Sequence, residues 1–590
     1  MILASKRETD YKIILAQDAS STELHAAEEL RSFLEQITGA GFQIYHEDER
    51  PLVNRPNGHL TQLCPPEKDM YIYVGNTDFG ARIGYIPKKE LGKEGFSIKT
   101  DGDKLYIIGG KPRGVLYGVY TFLETYCGCR WFTHTVSRIP TRSTLEIPDI
   151  DDTQVPILEY REPHYPSYGE ADWHARNKCN SHWSLLSKRY GGKICFKPFV
   201  HTFLEIIDPN EYFEQHPEYF SEINGERFGG NTTQLCLTNP DVLKIAKKKV
   251  RQWLKEDPEA SVISVSQNDY YTYCTCSNCR KLDEQENSHM GSLLTFVNAI
   301  ADDIREDYPE VAIETLAYQY TRKVPAHIRP RDNVIIRLCD IECCFSHPIA
   351  ECNHTFGNAD TSEQTFVEDL KDWSKICKRI YIWDYVVNYV HNLLPHPNWG
   401  VLQPNIQLFA ENNVKGIFEQ GNSFRGKYGE FDLMKQYVLA KLLWDPYCDM
   451  NIHVNEYLHG VYGLAAAEVR HYYDMLQGLI KPDIHMNLYE NPNAKYLTDE
   501  FLEEADAALA RAEIAADNNE VLERVKVLRL STRYAIMCRM SLDNPEREAM
   551  IDAFYKDVTA AGIEKFYYRM MPDKAIEFIR AGSMNGCKEE

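Results

Sequence analysis

Ser261-Val262-Ile263-Ser264-Val265-Ser266-Gln267-Asn268-Asp269 and, far downstream, Val414-Lys415-Gly416-Ile417-Phe418-Glu419-Gln420-Gly421 are the stretches on which the fold turns. Each is a β-branched or apolar run that halts on a carboxylate among polar neighbours. In a barrel of parallel strands, the carboxyl ends of the strands and the loops after them build the active face. Asp269 and Glu419 are therefore expected at one mouth. Similar runs predict strands at 158–164, 180–184, 199–207, 234–238, 311–317, 334–338 and 379–383, with helices at 243–255, 292–306 and 365–377. Strand–helix alternation predicts a parallel α/β architecture, here a (β/α)8 TIM barrel over 155–450 closed by a helix at 433–443. Nine candidate strands compete for eight places, so one early strand is surplus.

Working outward, residues 1–150 predict a smaller α/β accessory domain. A strand at 11–16 leads to Ser20-Ser21-Thr22-Glu23, a capping box, and to a helix with Leu24, Ala27, Leu30, Leu34 and Ile37 on one face. Strands are predicted at 71–75, 96–99 and 104–108, and a polar, Pro-containing loop at 47–66. Pro140, Pro148 and Pro156, around Asp149-Ile150-Asp151-Asp152, predict a linker. Residues 451–590 predict an all-helical region, with Phe501, Leu502, Ala505, Ala508, Leu509 and Ala512 as one apolar stripe and Val521, Val525, Leu528 and Ala535 as another.

A chain of 590 residues exceeds a single core. Its formal net charge of −22 argues against nucleic acid and against anionic membrane surfaces. No stretch approaches the roughly 18 apolar residues of a membrane span. The start, Met1-Ile2-Leu3-Ala4-Ser5-Lys6, lacks an apolar core of signal-peptide length. As written, that predicts a cytoplasmic protein; a leader already removed would leave the same start on a periplasmic or secreted one. With 37 Tyr and 8 Trp, rings are available either to fill cores or to stack on sugar faces. The 17 cysteines are odd in number and clustered, unlike a disulfide framework.

Cleaving a glycosidic bond takes one carboxylic acid to protonate the leaving oxygen and one carboxylate opposite it. Asp269 is expected as the acid, with Glu419 or Asp384 as nucleophile or base, and Asp340 and Glu342 as weaker rivals. Arg425 is a possible partner that would make Glu419 merely structural. Asn268, His201, His164, Gln420 and Asn422 are expected to bind substrate hydroxyls, and Trp383 and Tyr385 to wall the pocket. Cys274, Cys276 and Cys279 fit either a disulfide or a structural zinc whose fourth ligand is Cys343, Cys344 or a His. Cys339, Cys343, Cys344 and Cys352 follow another strand end, so both thiol groups are expected near one mouth. No organic cofactor is implied, and the oligomeric state is open.

The run Gly109-Gly110-Lys111-Pro112-Arg113-Gly114-Val115-Leu116-Tyr117-Gly118 lacks the P-loop Lys-Ser/Thr. It resembles the accessory domain before the barrel in glycoside hydrolase family 20 hexosaminidases and family 67 α-glucuronidases, which implies a buttressing role. Family 20 carries an Asp-Glu pair where this chain has Asn268-Asp269, so the position is kept and the residue types are not. His216-Pro217-Glu218-Tyr219-Phe220, Phe228-Gly229-Gly230, Gln234-Leu235-Cys236-Leu237-Thr238-Asn239-Pro240 and the three cysteines after Asp269 resemble the barrel family called domain of unknown function 4838. Leu442-Leu443-Trp444-Asp445-Pro446 is similar to the helix end after the family 67 barrel. Together these imply a glycoside hydrolase, exo-acting on a glycan fragment; the alternative is a carbohydrate-binding protein that kept the barrel and lost turnover.

Overall fold

The computed structural model describes residues 1–47, 53–54, 60–61, 70–77, 90–356, 364–422 and 429–582. Most of the loop expected at 47–66, and Arg425, lie outside the described residues.

The accessory sheet comprises β1 (Lys12–Leu15), β2 (Gln43–His46), β3 (Tyr71–Val74), β4 (Phe96–Asp101), β5 (Lys104–Gly109) and β6 (Asp151–Gln154), in the order β6-β4-β5-β3-β1-β2. Strands β1, β2, β3 and β5 run parallel, while β4 is antiparallel to both β5 and β6. The expected linker is thus partly a strand: Asp151–Gln154 completes this sheet. Ser20 caps the helix Ser21–Thr38 reciprocally with Glu23, as the motif predicts. Its buried face is centred on Ala26, Leu30, Phe33 and Ile37. Leu24, two residues before Ala26 and nearly opposite it around a 3.6-residue turn, is exposed, contrary to expectation.

The Gly109–Gly118 run performs the buttressing. It opens the helix Gly114–Thr121 directly against β5. A Cβ on Gly109 would lie 2.0 Å from the Val115 nitrogen, and one on Gly118 would lie 2.9 Å from Ile107 Cγ2, so only glycine admits the approach. Arg113 Nε donates to Glu94 Oε1 at 2.6 Å, and Arg161 Nη1, from the first barrel strand, donates to Glu94 Oε2 at 2.7 Å. Trp444 reaches back to stack on Phe96 (5.8 Å), donates to Gln154 and lies under the Arg161 guanidinium.

The second sheet comprises β7 (Tyr160–His164), β8 (Val262–Ser264), β9 (Ala312–Ala317), β10 (Val334–Cys339), β11 (Ile380–Tyr385) and β12 (Val414–Gln420). All are parallel, in the order β7-β12-β11-β10-β9-β8, so the first strand lies beside the last. Among the described residues, six paired strands make a partial barrel rather than the eight expected. The remaining arc is irregular: Arg161 N donates to Asn180 Oδ1, Ile194 N to Asn180 O, and Phe196 makes a lone parallel bridge to Val262. Residues 180–184 form no strand. The expected strand at 199–207 is broken by His201, whose φ of +54° is left-handed, and continues as a helical turn, Phe203–Ile206. The run at 234–238 contributes only the lone bridge Phe220–Leu235.

Strand alternation sorts the side chains. Tyr160, Phe196, Val262, Ala312, Ile335, Tyr381 and Phe418 pack together inside the curl. The Tyr160 and Tyr381 rings stack at 5.5 Å and 5° across Gly416, where a Cβ would lie 2.8 Å from both residues. Ile313, Ile336, Leu338, Ile382 and Ile417 face outward, joining one core with the helices Met290–Ile304, Phe366–Ile376, Trp399–Glu411 and Asp432–Trp444. From Met450 on the described chain is helical with connecting loops, and both predicted apolar stripes are buried. No helix among the described residues is long and apolar enough to cross a membrane.

Candidate active site

Successive side chains on a strand point to opposite faces, and this decides which candidates meet. Asp384 pairs in register with Glu419, and Asp340 follows Cys339, which pairs with Trp383. All three carboxyls therefore share the face of Ile382, Ile417 and Leu338, toward the helices. Asp384 is 3% exposed, while Asp340 and Glu419 are fully buried. Burial, reinforced by Asp384 and Glu419, pushes the Asp340 carboxyl well up; burial and Asp384 do the same to Glu419. Burial lifts Asp384 to about 7 against the opposing hydrogen bond from Tyr385 N at 2.6 Å. The expected convergence of Asp269 with Glu419 or Asp384 is not found: those two gather with Asp340 instead.

In the hollow of the curled sheet, the inner face and the loops above it gather a separate aromatic cluster, with Trp183 exposed and Phe199, Trp383 and Gln420 half-buried. Trp383 packs on Phe418 (4.7 Å) and Phe199 (5.7 Å), and Phe199 stacks on His182 at 5.3 Å. His164 lies between Trp183 (5.7 Å) and Phe418 (5.0 Å). Trp383 Nε1 donates to Gln420 Oε1 at 2.6 Å, and Gln420 Nε2 donates to the Tyr389 hydroxyl at 2.5 Å. Tyr385 lines the same wall beside Trp383 and Tyr389. Beneath them the buried Arg337–Glu314 ion pair, 3.1 Å, sets the guanidinium against the Phe196, Phe199 and Trp383 rings.

Asp269 is exposed, and its Oδ1 accepts from the Tyr318 hydroxyl at 2.9 Å. Gln319 Nε2 donates to that same hydroxyl at 3.0 Å. Burial and the Asp269 carboxylate push Tyr318 far up, so it remains a donor at any working pH. His201 anchors alongside through Nδ1 to the Gln267 carbonyl, 2.8 Å. His201 and Gln319 both hold left-handed backbones, φ +54° and +52°. Non-glycine residues in that region carry strain of the kind that collects at functional sites. Glu162, on β7, is inward and buried; its Oε2 accepts from the Tyr160 hydroxyl, and Oε1 lies 3.8 Å from His164. Burial opposes its ionisation, but the neighbouring His164 holds its carboxyl below the usual range.

Two other expected substrate ligands lie elsewhere. Asn268 is 3% exposed and fixes the chain, with Nδ2 donating to Thr233 O and N accepted by Gln234 Oε1. Asn422 is buried and donates to Asp432 Oδ2. Glu342 pairs with the buried Arg322. Tyr318, Gln319, Trp183, Phe199 and Tyr389 were not anticipated. Tyr318 had a signal: it follows the 311–317 strand as Asp269 follows the 261–267 run.

The thiols after Asp269 are met by Cys236 rather than by Cys343, Cys344 or a His. The four Sγ atoms lie within 4.8 Å of one another and are buried. Cys236 Sγ is 3.7 Å from Cys276 and 4.0 Å from Cys279. Tetrahedral zinc with Zn–S of about 2.3 Å requires S···S of about 3.8 Å, whereas a disulfide needs about 2.05 Å. The four cysteines are free thiols, and the donor set fits zinc. Cys339 lines the inner face with Leu316 and Tyr318, while Cys344 and Cys352 belong to another group with histidines.

The chain belongs to the family described as Domain of unknown function (DUF4838), whose model matches residues 131–474. Residues 4–122 match the Glycosyl hydrolase family 67 N-terminus. A comparison with curated proteins finds no match. Among solved structures, the chain is similar to a family GH115 4-O-methyl-α-glucuronidase with specificity for decorated arabinogalactans, at 12% identity and a TM-score of 0.57, over 98% of this chain and 80% of that one. A GH138 enzyme targeting pectin rhamnogalacturonan II matches at 10% identity and a TM-score of 0.48, over 98% of each chain. The likeness to the GH115 structure is one of fold.

Proposed function

We propose that the chain is a glycoside hydrolase that takes a terminal sugar of a decorated glycan into the hollow between Asp269 and Trp383. The observation that supports it most is an exposed carboxylate oriented by the hydroxyl of Tyr318, a residue packed in one cluster with Trp383. In this reading Asp269 is the general acid, Trp383 and Tyr385 stack on the sugar, and Gln420 and His201 bind its hydroxyls. The opposing group is Glu162 on the inner face, whose carboxyl the neighbouring His164 holds below the usual range, whereas burial raises those of Asp340, Asp384 and Glu419. The family 67 N-terminal match, and the GH115 enzyme's being a 4-O-methyl-α-glucuronidase, make glucuronides the first substrates to try. A likeness to family 20 rests on the Arg113–Gly118 run alone. The Cys236, Cys274, Cys276 and Cys279 group, in the same reading, holds a structural zinc that pins the loop after Asp269.

A second reading, a sugar-binding protein without turnover, is favoured by one fact: the carboxyls expected opposite Asp269 face away from the hollow. A panel of aryl glycosides and uronides separates the two. Asp269→Asn is expected to lose most turnover, on the order of 100-fold or more, while keeping sugar affinity. Wild-type protein that binds sugars and hydrolyses none of them would overturn the hydrolase reading.

A further inference from the structure

We propose that Cys344, His347, Cys352 and His485 form a second zinc site, which fastens the 484–490 segment of the C-terminal region to the barrel mouth. This does not depend on what the hollow binds.

The four ligand atoms lie within 4.8 Å of one another. Cys344 Sγ is 3.5 Å from His485 Nδ1 and 3.6 Å from His347 Nδ1, and Cys352 Sγ is 3.6 Å from His485 Nδ1. Tetrahedral zinc, with Zn–S of about 2.3 Å and Zn–N of about 2.0–2.1 Å, requires S···N separations of about 3.6 Å. Two thiols and two imidazoles without a carboxylate select zinc over magnesium or calcium.

The tautomer is also prepared. His347 Nε2 lies 3.1 Å from the Lys481 carbonyl and, by donating to it, leaves the Nδ1 lone pair toward the thiols. His354 stacks on His485 at 4.1 Å and 16°, which holds that ring in plane. A Cys344–Cys352 disulfide would explain neither imidazole, and both cysteines are free thiols.

Three ligands come from one loop, closed at its base by the Cys343–Thr355 bridge and by Phe356 N donating to Glu342 O at 2.7 Å. The fourth comes from a stretch, 478–498, that has neither helix nor strand. Other bonds holding that stretch include Phe345 N to Met486 O (3.0 Å), Ser346 Oγ to Ile484 O (2.6 Å), Tyr389 N to Leu488 O (2.7 Å) and Asn388 Nδ2 to Glu490 O (2.7 Å). It carries Tyr489 to within 6.3 Å of Tyr389, whose hydroxyl accepts from Gln420 in the hollow. A metal here thus ties the C-terminal region to the rim of the hollow, and its binding free energy opposes opening of the segment.

The test is the zinc content and zinc-edge X-ray absorption of the full chain. Wild type is expected to hold two zinc ions per chain, with a mean shell of three sulfurs and one nitrogen. His485→Ala and Cys344→Ser should each retain one zinc in an all-sulfur shell and become more susceptible to proteolysis within 478–498. Cys279→Ser should retain one zinc in a two-sulfur, two-nitrogen shell. Wild type with an all-sulfur shell, wild type with no zinc, or His485→Ala with unchanged content and shell would each overturn the proposal. The wild-type spectrum decides even if a variant fails to fold.

Discussion

Replacing Glu94 by Gln should loosen the accessory domain from the barrel, and the loss should fade in acid. Glu94 is 5% exposed and is gripped by two guanidiniums, Arg113 and Arg161. Burial alone would raise its pKa, but Arg161 and Arg113 together bring it from 4.5 down to about 2. That fall from 4.5 to about 2 corresponds to about 3 kcal/mol. Removing one partner of a buried pair typically costs about 3–5 kcal/mol, in agreement. Because the folded pKa is depressed, this contribution is complete above the unfolded value near 4.5 and is lost as pH falls toward 2. At about pH 3 the wild type has already forfeited about 2 kcal/mol, so the gap to Glu94→Gln should shrink from about 3 to about 1 kcal/mol. Urea unfolding followed by Trp emission reports it, since Trp444 lies beneath Arg161 and bonds Gln154 at this interface. A gap below about 1 kcal/mol at neutral pH, or one that stays constant between pH 7 and pH 3, would refute the reasoning.

Two further outcomes follow from packing and burial. The raised pKa of Asp384, about 7, means that its favourable contribution is complete below about pH 4 and gone once pH passes 7. Asp384→Asn should therefore raise the unfolding temperature at pH 8 and leave it nearly unchanged at pH 4; a lower unfolding temperature at pH 8 would contradict the buried-carboxyl account. Gly416→Ala should destabilise by about 1–3 kcal/mol, since its Cβ would meet Tyr160 and Tyr381 at 2.8 Å. Adding Tyr381→Leu should recover part of that loss in denaturant melts, and simple additivity would rule out the clash.

Local signals were strong wherever chemistry and periodicity agreed. The capping box at Ser20 and Glu23, the glycine run ahead of Gly114–Thr121, the β9–β12 strands and the C-terminal stripes were all legible from residue type and spacing. The irregular arc was not. Residues 199–207 carry strand-like composition, yet a left-handed His201 turns the chain there, and composition does not encode that reversal. Asp151 and Asp152 read as linker because their partners in β4 lie some fifty positions away in sequence.

The sequence alone determined that a parallel α/β body follows a buttressing domain, that carboxylates end its strands, and that thiols cluster after Asp269. Tertiary structure decided which way those groups point and which of them meet. A shift of one residue along a strand exchanges its two faces, so Trp383 and Gln420 enter the hollow while their neighbours Asp384 and Glu419 turn into the helical layer. Cys236 and His485 likewise meet their neighbouring thiols and imidazoles only through contacts remote in the chain, which no local pattern records.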